Sequence, residues 1–320
     1  MTMNAALIRA ILRIIGASLV SLVFVTIAVF FITAVLPGDV ADALLGQAAT
    51  PDAVAALRHS LNLDKPVLVR FVIWVNGLLH GDFGVSLISR RPVLAMASER
   101  LIHSLLLAGV TALFAVPVAL VLGTASAIFR NTLFDRAVSL LTLCVVSVPE
   151  FLVATLAVFI FSVQLHLLPS LASISDIHSI GSFLASFSMP VTTLACVIVG
   201  QMSRMTRAVM IDALGSSWVE MAVLKGASPA HIILRHVIPN VIAPLFNVIA
   251  LSLSYLLGGV VIVESVFHYP GIASLMVDSV AARDIPLVQI CALIFCAAYL
   301  FLTTLADIVA LLSSQRRHAA

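Results

Sequence analysis

Apolar positions along this chain come in long, nearly unbroken runs rather than in alternation. Residues 11–36, 101–129, 137–165 and 241–263 are almost free of charge. Each exceeds the about 20 apolar residues that a helix needs to cross a bilayer. Two further runs, 189–209 and 285–312, are interrupted by isolated polar residues but are long enough. The pattern predicts an all-α polytopic membrane protein of about six spans. The first run exceeds the ~7–15 apolar residues of a signal peptide and lacks a small-x-small exit, so it is expected to stay as a span.

Between the runs the polar stretches differ in kind. Residues 38–100 are mixed, with turn signals at Pro37-Gly38, Pro66, Gly81-Asp82 and Pro92, and form an external loop domain after the segment 1–37. Thr50-Pro51-Asp52 is a helix start, with a first-turn proline ahead of residues 53–59. Pro66 begins a second helix ending near Leu79, with Phe71, Trp74, Val75 and Leu78 on one face, suited to a membrane interface. Residues 168–188, rich in serine, read as a second external loop, and 268–284 as a third. The remaining residues, 101–320, form a five-span core. It contains a charged loop at 212–239, expected to hold two short helices parted near Gly226 and Pro229.

Composition agrees: 62% of residues are hydrophobic and 10% charged, against roughly a quarter charged in soluble domains. The net charge of +2 matters less than its placement. If six spans alternate, Arg9, Arg13, Arg130, Arg136, Arg204, Arg207, Lys225 and Arg235 share one side, as do Arg316 and Arg317. The positive-inside rule makes that side, and both termini, cytoplasmic. The four cysteines, Cys144, Cys196, Cys291 and Cys296, lie inside apolar runs, which argues for packing rather than disulfides or a metal centre. Scattered histidines such as His103, His166 and His178 lack ligand spacing.

Glu220-Met221-Ala222, Gly226 and Ile238-Pro239 stand in the charged loop just before a span. They resemble the loop of importer-type ABC permeases, whose pattern is Glu-Ala-Ala-x-x-x-Gly followed further on by Ile-x-Leu-Pro. Glu220, Ala222, Gly226 and Pro239 match in register, while Met221, His236 and Ile238 depart. Further segments are similar to the B-type permease of dipeptide, oligopeptide and nickel importers. They include Leu36-Pro37-Gly38-Asp39, Leu61-Asn62-Leu63-Asp64, Gly81-Asp82-Phe83-Gly84-Val85-Ser86, Arg91-Pro92-Val93 and Ser147-Val148-Pro149-Glu150-Phe151. Later come Lys225-Gly226-Ala227-Ser228-Pro229, Val263-Glu264-Ser265-Val266-Phe267 and Ala282-Arg283-Asp284-Ile285-Pro286. The resemblance covers nearly the whole chain in order. The tail departs, with Ser313-Ser314-Gln315-Arg316-Arg317 where relatives often have Asp-Pro-Arg.

The resemblance implies a permease subunit of an ATP-driven importer in a bacterial inner membrane, with di- or oligopeptides as the default cargo. It also implies a second homologous permease, two ATPase subunits, an external solute-binding protein and membrane lipid as partners, and no nucleic acid. Glu220, Met221, Ala222, Lys225, Gly226, Ala227, Ser228, Pro229 and Pro239 then couple to the ATPases. A helix ended by Gly226 can protrude and seat in a partner's groove, because glycine accepts positive φ without a clashing side chain. No Walker A motif is possible: Lys65 follows Asp64 and Lys225 follows Leu224. ATP and Mg therefore belong on partner subunits, with no cofactor, metal or enzymatic chemistry expected in this chain.

Charged residues inside spans are the other candidates. Glu150 follows Pro149 near the middle of the third run, where an ionised carboxylate costs at least ~2.5 kcal/mol unless it faces a cavity or partner. It lines the path or it is structural. Glu264 and Phe267 suit an outer gate or a surface met by the binding protein, with interfacial anchoring as the alternative. Arg204 and Arg207 suit lipid head groups or acidic residues of an ATPase. Asp307 calls for a structural partner such as an arginine. The rivals are an intramembrane protease, which lacks HExxH and Gly-x-Ser-x-Gly motifs, and a gradient-driven transporter using Glu150.

Overall fold

The computed structural model describes residues 2–35, 50–60, 63–172 and 179–319. The Leu36-Pro37-Gly38-Asp39 motif, Leu61-Asn62 and His178 lie outside the described residues. The helices are α1 (Thr2–Val35), α2 (Pro51–Ser60), α3 (Val67–Leu79), α4 (Val93–Ile128), α5 (Leu133–Ser147) and α6 (Glu150–Ala157). They continue as α7 (Ile180–Leu214), α8 (Ser217–Leu224), α9 (Ile238–Val266), α10 (Ile272–Ala281) and α11 (Ile285–Ala319). Two π-helical stretches, Val158–Gln164 and Ile232–Val237, extend α6 and precede α9. Among the described residues the only β pairing is one bridge between Val85 and Pro92. The protein is an all-α polytopic membrane protein. Among the described residues five helices are long and apolar enough to span a bilayer, and α5 with α6 and its π extension meets the same measure only as a sharply bent pair, the geometry of a broken span or of a re-entrant loop.

The third run is not the single straight span expected. Its halves are bent by 94° at Val148-Pro149. Pro149 has no amide to offer the preceding turn, and its ring excludes Val148 from the helical region. Val148 is accordingly extended, at φ −91° and ψ 129°. Glu150 thus opens a new helix at the break rather than sitting inside a continuous one.

The external loop expected at 168–188 is also shorter, because α7 starts at Ile180. Ser179 caps it: its side chain accepts from the Ser182 amide, and the Ser182 hydroxyl accepts from the Ser179 amide. Within the helix, Ser188 donates back to the Ala185 carbonyl at 3.0 Å. Serines that suggested a loop satisfy themselves inside a helix. The loop at 268–284 holds α10.

The chain forms two compact units: Met1–Ser18, Leu105–Tyr269 and Tyr299–Ala320 in one, Leu19–Ser104 and Pro270–Ala298 in the other. In the first, α7 packs on α5, α6 and α9 around buried Leu194, Ile198, Met202, Leu256, Val260 and Val263. Small residues let the backbones approach, as expected where lipid supplies no hydrophobic drive between helices. A Cβ on Gly123 would lie 2.5 Å from the Ser203 carbonyl oxygen, and one on Gly200 would lie 2.9 Å from Val146.

In the second unit, Val93, Ala97, Ile272, Leu275, Leu287, Ile290 and Cys291 form the core. Phe30, Phe31, Phe71 and Trp74 cluster, with Phe30 and Phe71 centroids 5.2 Å apart, so the apolar face expected on α3 has its partner in α1. Asp284 is 1% exposed. It accepts hydrogen bonds from the Ser86 hydroxyl and from the Leu87 amide, the latter at 3.1 Å. Gln289 donates to the Thr33 hydroxyl at 2.8 Å. Two of the segments that carried the family resemblance therefore meet as a structural clasp.

Candidate coupling loop and buried carboxylates

The loop between α7 and α9 is built by local rules. Helix α8 ends at Leu224, and Gly226 follows at φ +80°. The Gly226 amide donates to the Val223 carbonyl (2.9 Å) and the Ala227 amide to the Ala222 carbonyl (3.1 Å), the paired bonds of a Schellman C-cap. Ser228 then caps the next turn, accepting from the His231 amide at 3.4 Å, with Pro229 at its first position. The π-helical residues 232–237 lead into α9, where Pro239 lies in the first turn and needs no donor.

One side of α8 is pinned and the other is bare. Val219 and Ala222 are buried with Ala127, Met210, Ile232, Val237 and Val241. Trp218 is 39% exposed, Met221 53% and Leu224 75%. Glu220, Lys225, Gly226, Ser228 and Pro229 are exposed and Ala227 half-buried. Among the described residues Glu220 and Lys225 make no ion pair. A short helix held by two small residues thus offers an apolar edge flanked by charge. Burying side chains like Met221 and Leu224 contributes about 1.5–3 kcal/mol each.

The tentative path residues fall in two places. Glu150 is half-buried at the start of α6 and touches α9, where a Cβ on Gly259 would lie 2.6 Å from its Oε1. A carboxylate at a helix's first position is favoured by the backbone dipoles. Beside it, the bend opens a cavity of about 660 Å³ lined by Val148, Val153, Phe161, Met189, Thr192 and others, with Glu150 outside the lining. Glu264 and Phe267 are fully buried, each 0% exposed, so neither presents the surface expected of it. Phe187 packs edge-on against Tyr269, at 5.6 Å, and the Ala172 amide donates to the Phe267 carbonyl. Burial first, and the Glu264 carboxylate second, push the Tyr269 phenol well above its ordinary range.

Two expected roles change. Arg207 is not left for lipid or an ATPase: its Nε and Nη2 donate to Asp135 Oδ1 and Oδ2 at 2.7 and 2.8 Å. Asp135 is 3% exposed and also accepts from the Ser126 hydroxyl (2.5 Å) and the Asn131 amide (2.9 Å). Arg204 stays exposed. Asp307 is exposed and has no ion pair among the described residues. Sequence reading passed over Asp135. Its signal was Thr132 three residues earlier, a cap that accepts from the Asp135 amide.

Bundled apolar helices long enough to span a bilayer, with a short helix bare on one side in the loop between two of them, define the class as a polytopic membrane protein. Residues 115–318 match the family described as "Binding-protein-dependent transport system inner membrane component", and residues 7–108 match its N-terminal counterpart. The chain belongs to this family, and it is a permease subunit of an ABC importer. It is 34% identical over 289 residues to the glutathione transport system permease protein GsiC of Salmonella typhimurium, covering 90% of this chain and 92% of that one. A probable peptide ABC transporter permease protein of Sinorhizobium fredii is 31% identical over 298 residues, covering 93% and 95%. A putative peptide transport system permease protein of Brucella suis is 32% identical over 308 residues, covering 96% and 98%.

Proposed function

We propose that this permease imports peptides or peptide-like solutes, forming half of a path with a second homologous permease. Relatives named for peptides and for glutathione, itself a short peptide derivative, support that cargo class. Two ATPase subunits bind and hydrolyse Mg-ATP on the cytoplasmic side, an external solute-binding protein delivers cargo, and both termini are cytoplasmic.

The observation that carries the coupling role is the Gly226 cap at φ +80°, which leaves Met221 and Leu224 bare on a helix anchored by Val219 and Ala222. Residues Glu220 to Pro229 meet the ATPases and Pro239 returns the chain to the bilayer. Closure of the ATPase pair on ATP moves α8, and the anchor passes that movement to α7 and α9. Glu150, Glu264 and Phe267 respond deeper in the span bundle. The buried pair at the outer end of α9 acts as a gate only when the shell around it opens.

The test is reconstitution of the full complex with Gly226→Val. A β-branched residue at positive φ is strained, so the expected outcome is an assembled complex that hydrolyses ATP while uptake of a labelled dipeptide is lost. Unimpaired uptake would remove the coupling role. Competition by unlabelled peptides, glutathione and a nickel chelate in the wild-type complex decides the cargo class.

A further inference from the structure

We propose that His231 and His236 form a two-imidazole binding site for a divalent transition-metal ion. Residues five apart on a regular α-helix lie about 140° apart around the axis and do not meet. Here the chain from Ile232 to Val237 is π-helical, and the Ile238 amide donates to the Ile233 carbonyl, five residues back. The widened turn brings the two rings to one side, with centroids 5.6 Å apart and planes at 63°. π-Helical insertions of this kind concentrate at functional sites.

The geometry suits chelation. Metal–imidazole bonds of about 2.0–2.1 Å at a near-tetrahedral angle set ring centroids about 5 Å apart, close to the 5.6 Å between these two rings. Both backbones are already held. The His231 amide donates to Ser228, and the His236 carbonyl accepts from the Asn240 side chain at 2.7 Å. The imidazole nitrogens make no hydrogen bond among the described residues, His231 is exposed, and His236 is half-buried. Imidazole ligands select zinc, nickel and copper, with Cu²⁺ the tightest of the series. Water fills the open positions. The site rests on ring placement alone, so it stands or falls apart from the import reading.

The experiment uses the full chain in detergent, purified on a histidine-free tag and titrated with Cu²⁺. Electron paramagnetic resonance of the wild type should show nitrogen couplings from two imidazoles on one copper. His231→Ala should reduce this to one imidazole and weaken binding by roughly tenfold or more, about 1.4 kcal/mol. His80→Ala should change neither. Zn²⁺ should raise the melting midpoint of the wild type but not of His231→Ala, since a ligand bound only to the folded state stabilises it. A spectrum unchanged in His231→Ala, or copper held equally by the His231→Ala/His236→Ala double variant, would show adventitious binding and overturn the proposal.

Discussion

The carboxylate of Glu150 lies so close to Gly259 that a methyl group there would fall 2.6 Å from Oε1 and 3.0 Å from Oε2. The neighbouring Gly258 has nothing within 4 Å. Of two adjacent glycines, one makes room for an acidic side chain and the other does not. Because the clash is with the end of a flexible chain, Gly259→Ala should move Glu150 rather than unfold the protein. We expect Gly259→Ala and Glu150→Gln to depress uptake to a similar extent with the complex assembled, while Gly258→Ala transports normally. Uptake by reconstituted vesicles, with co-purification as the assembly control, checks this. Loss of assembly in Glu150→Gln would make the carboxylate structural.

The Asp135–Arg207 pair makes a different prediction. Asp135 is almost inaccessible and takes four hydrogen bonds from Arg207, Ser126 and Asn131. Removing one partner strands the other, a loss of about 3–5 kcal/mol for fully buried pairs and less here, since the Arg207 side chain is 30% exposed. Arg207→Ala should lower the melting midpoint in detergent clearly, and Arg207→Lys should recover only part, because an ammonium cannot reproduce the two-pronged contact. Arg204→Ala should leave the midpoint unchanged. Equal effects at both arginines would show that the pair contributes nothing.

These two sites mark how far the sequence could be read. The spans were legible because bilayer thickness imposes a length on every apolar run, and the Gly226 cap was legible because glycine at a helix end has few other uses. Contacts were not. Arg207 and Asp135 are 72 residues apart in sequence, and nothing local to either reveals the other. Glu264 and Phe267, beside Tyr269 and Pro270, resemble an exposed aromatic rim in sequence, yet both are fully buried, with Phe187 packed on Tyr269 and the Ala172 amide bonded to the Phe267 carbonyl. The serines near the start of α7 were misread because residue type alone does not separate a loop serine from one bonded to its own helix.

Helix approach in the first unit can be tested with two glycines. A Cβ at Gly123 would meet the Ser203 carbonyl oxygen at 2.5 Å and Thr206 Cβ at 2.6 Å. Backbone cannot rotate away, so Gly123→Ala should destabilise by about 1–3 kcal/mol, as overpacking does. Gly109 on the same helix has nothing within 4 Å. Gly109→Ala should be neutral or stabilise by up to about 1 kcal/mol through helix propensity. Thermal midpoints of the two variants should move apart, and a common shift would contradict the close approach of α4 to α7.

The bend at Pro149 has two causes, and one variant separates them. Locally, proline forbids the helix from continuing through Val148. Globally, α6 packs on α7 and α9 and buries Ala154 completely, contacts that a straight helix would forfeit. Spin labels at exposed Leu140 and Phe159 would stand about 28 Å apart along a continuous helix, but about 20 Å apart across a right-angled bend. Wild type should give the short distance. In Pro149→Ala the local prohibition is gone while the packing remains, so the short distance should persist with a minority at the long one. A complete shift to the long distance would mean that proline alone makes the bend. A distribution identical to wild type would assign it wholly to packing, and Pro149 would then serve only to start the helix that carries Glu150.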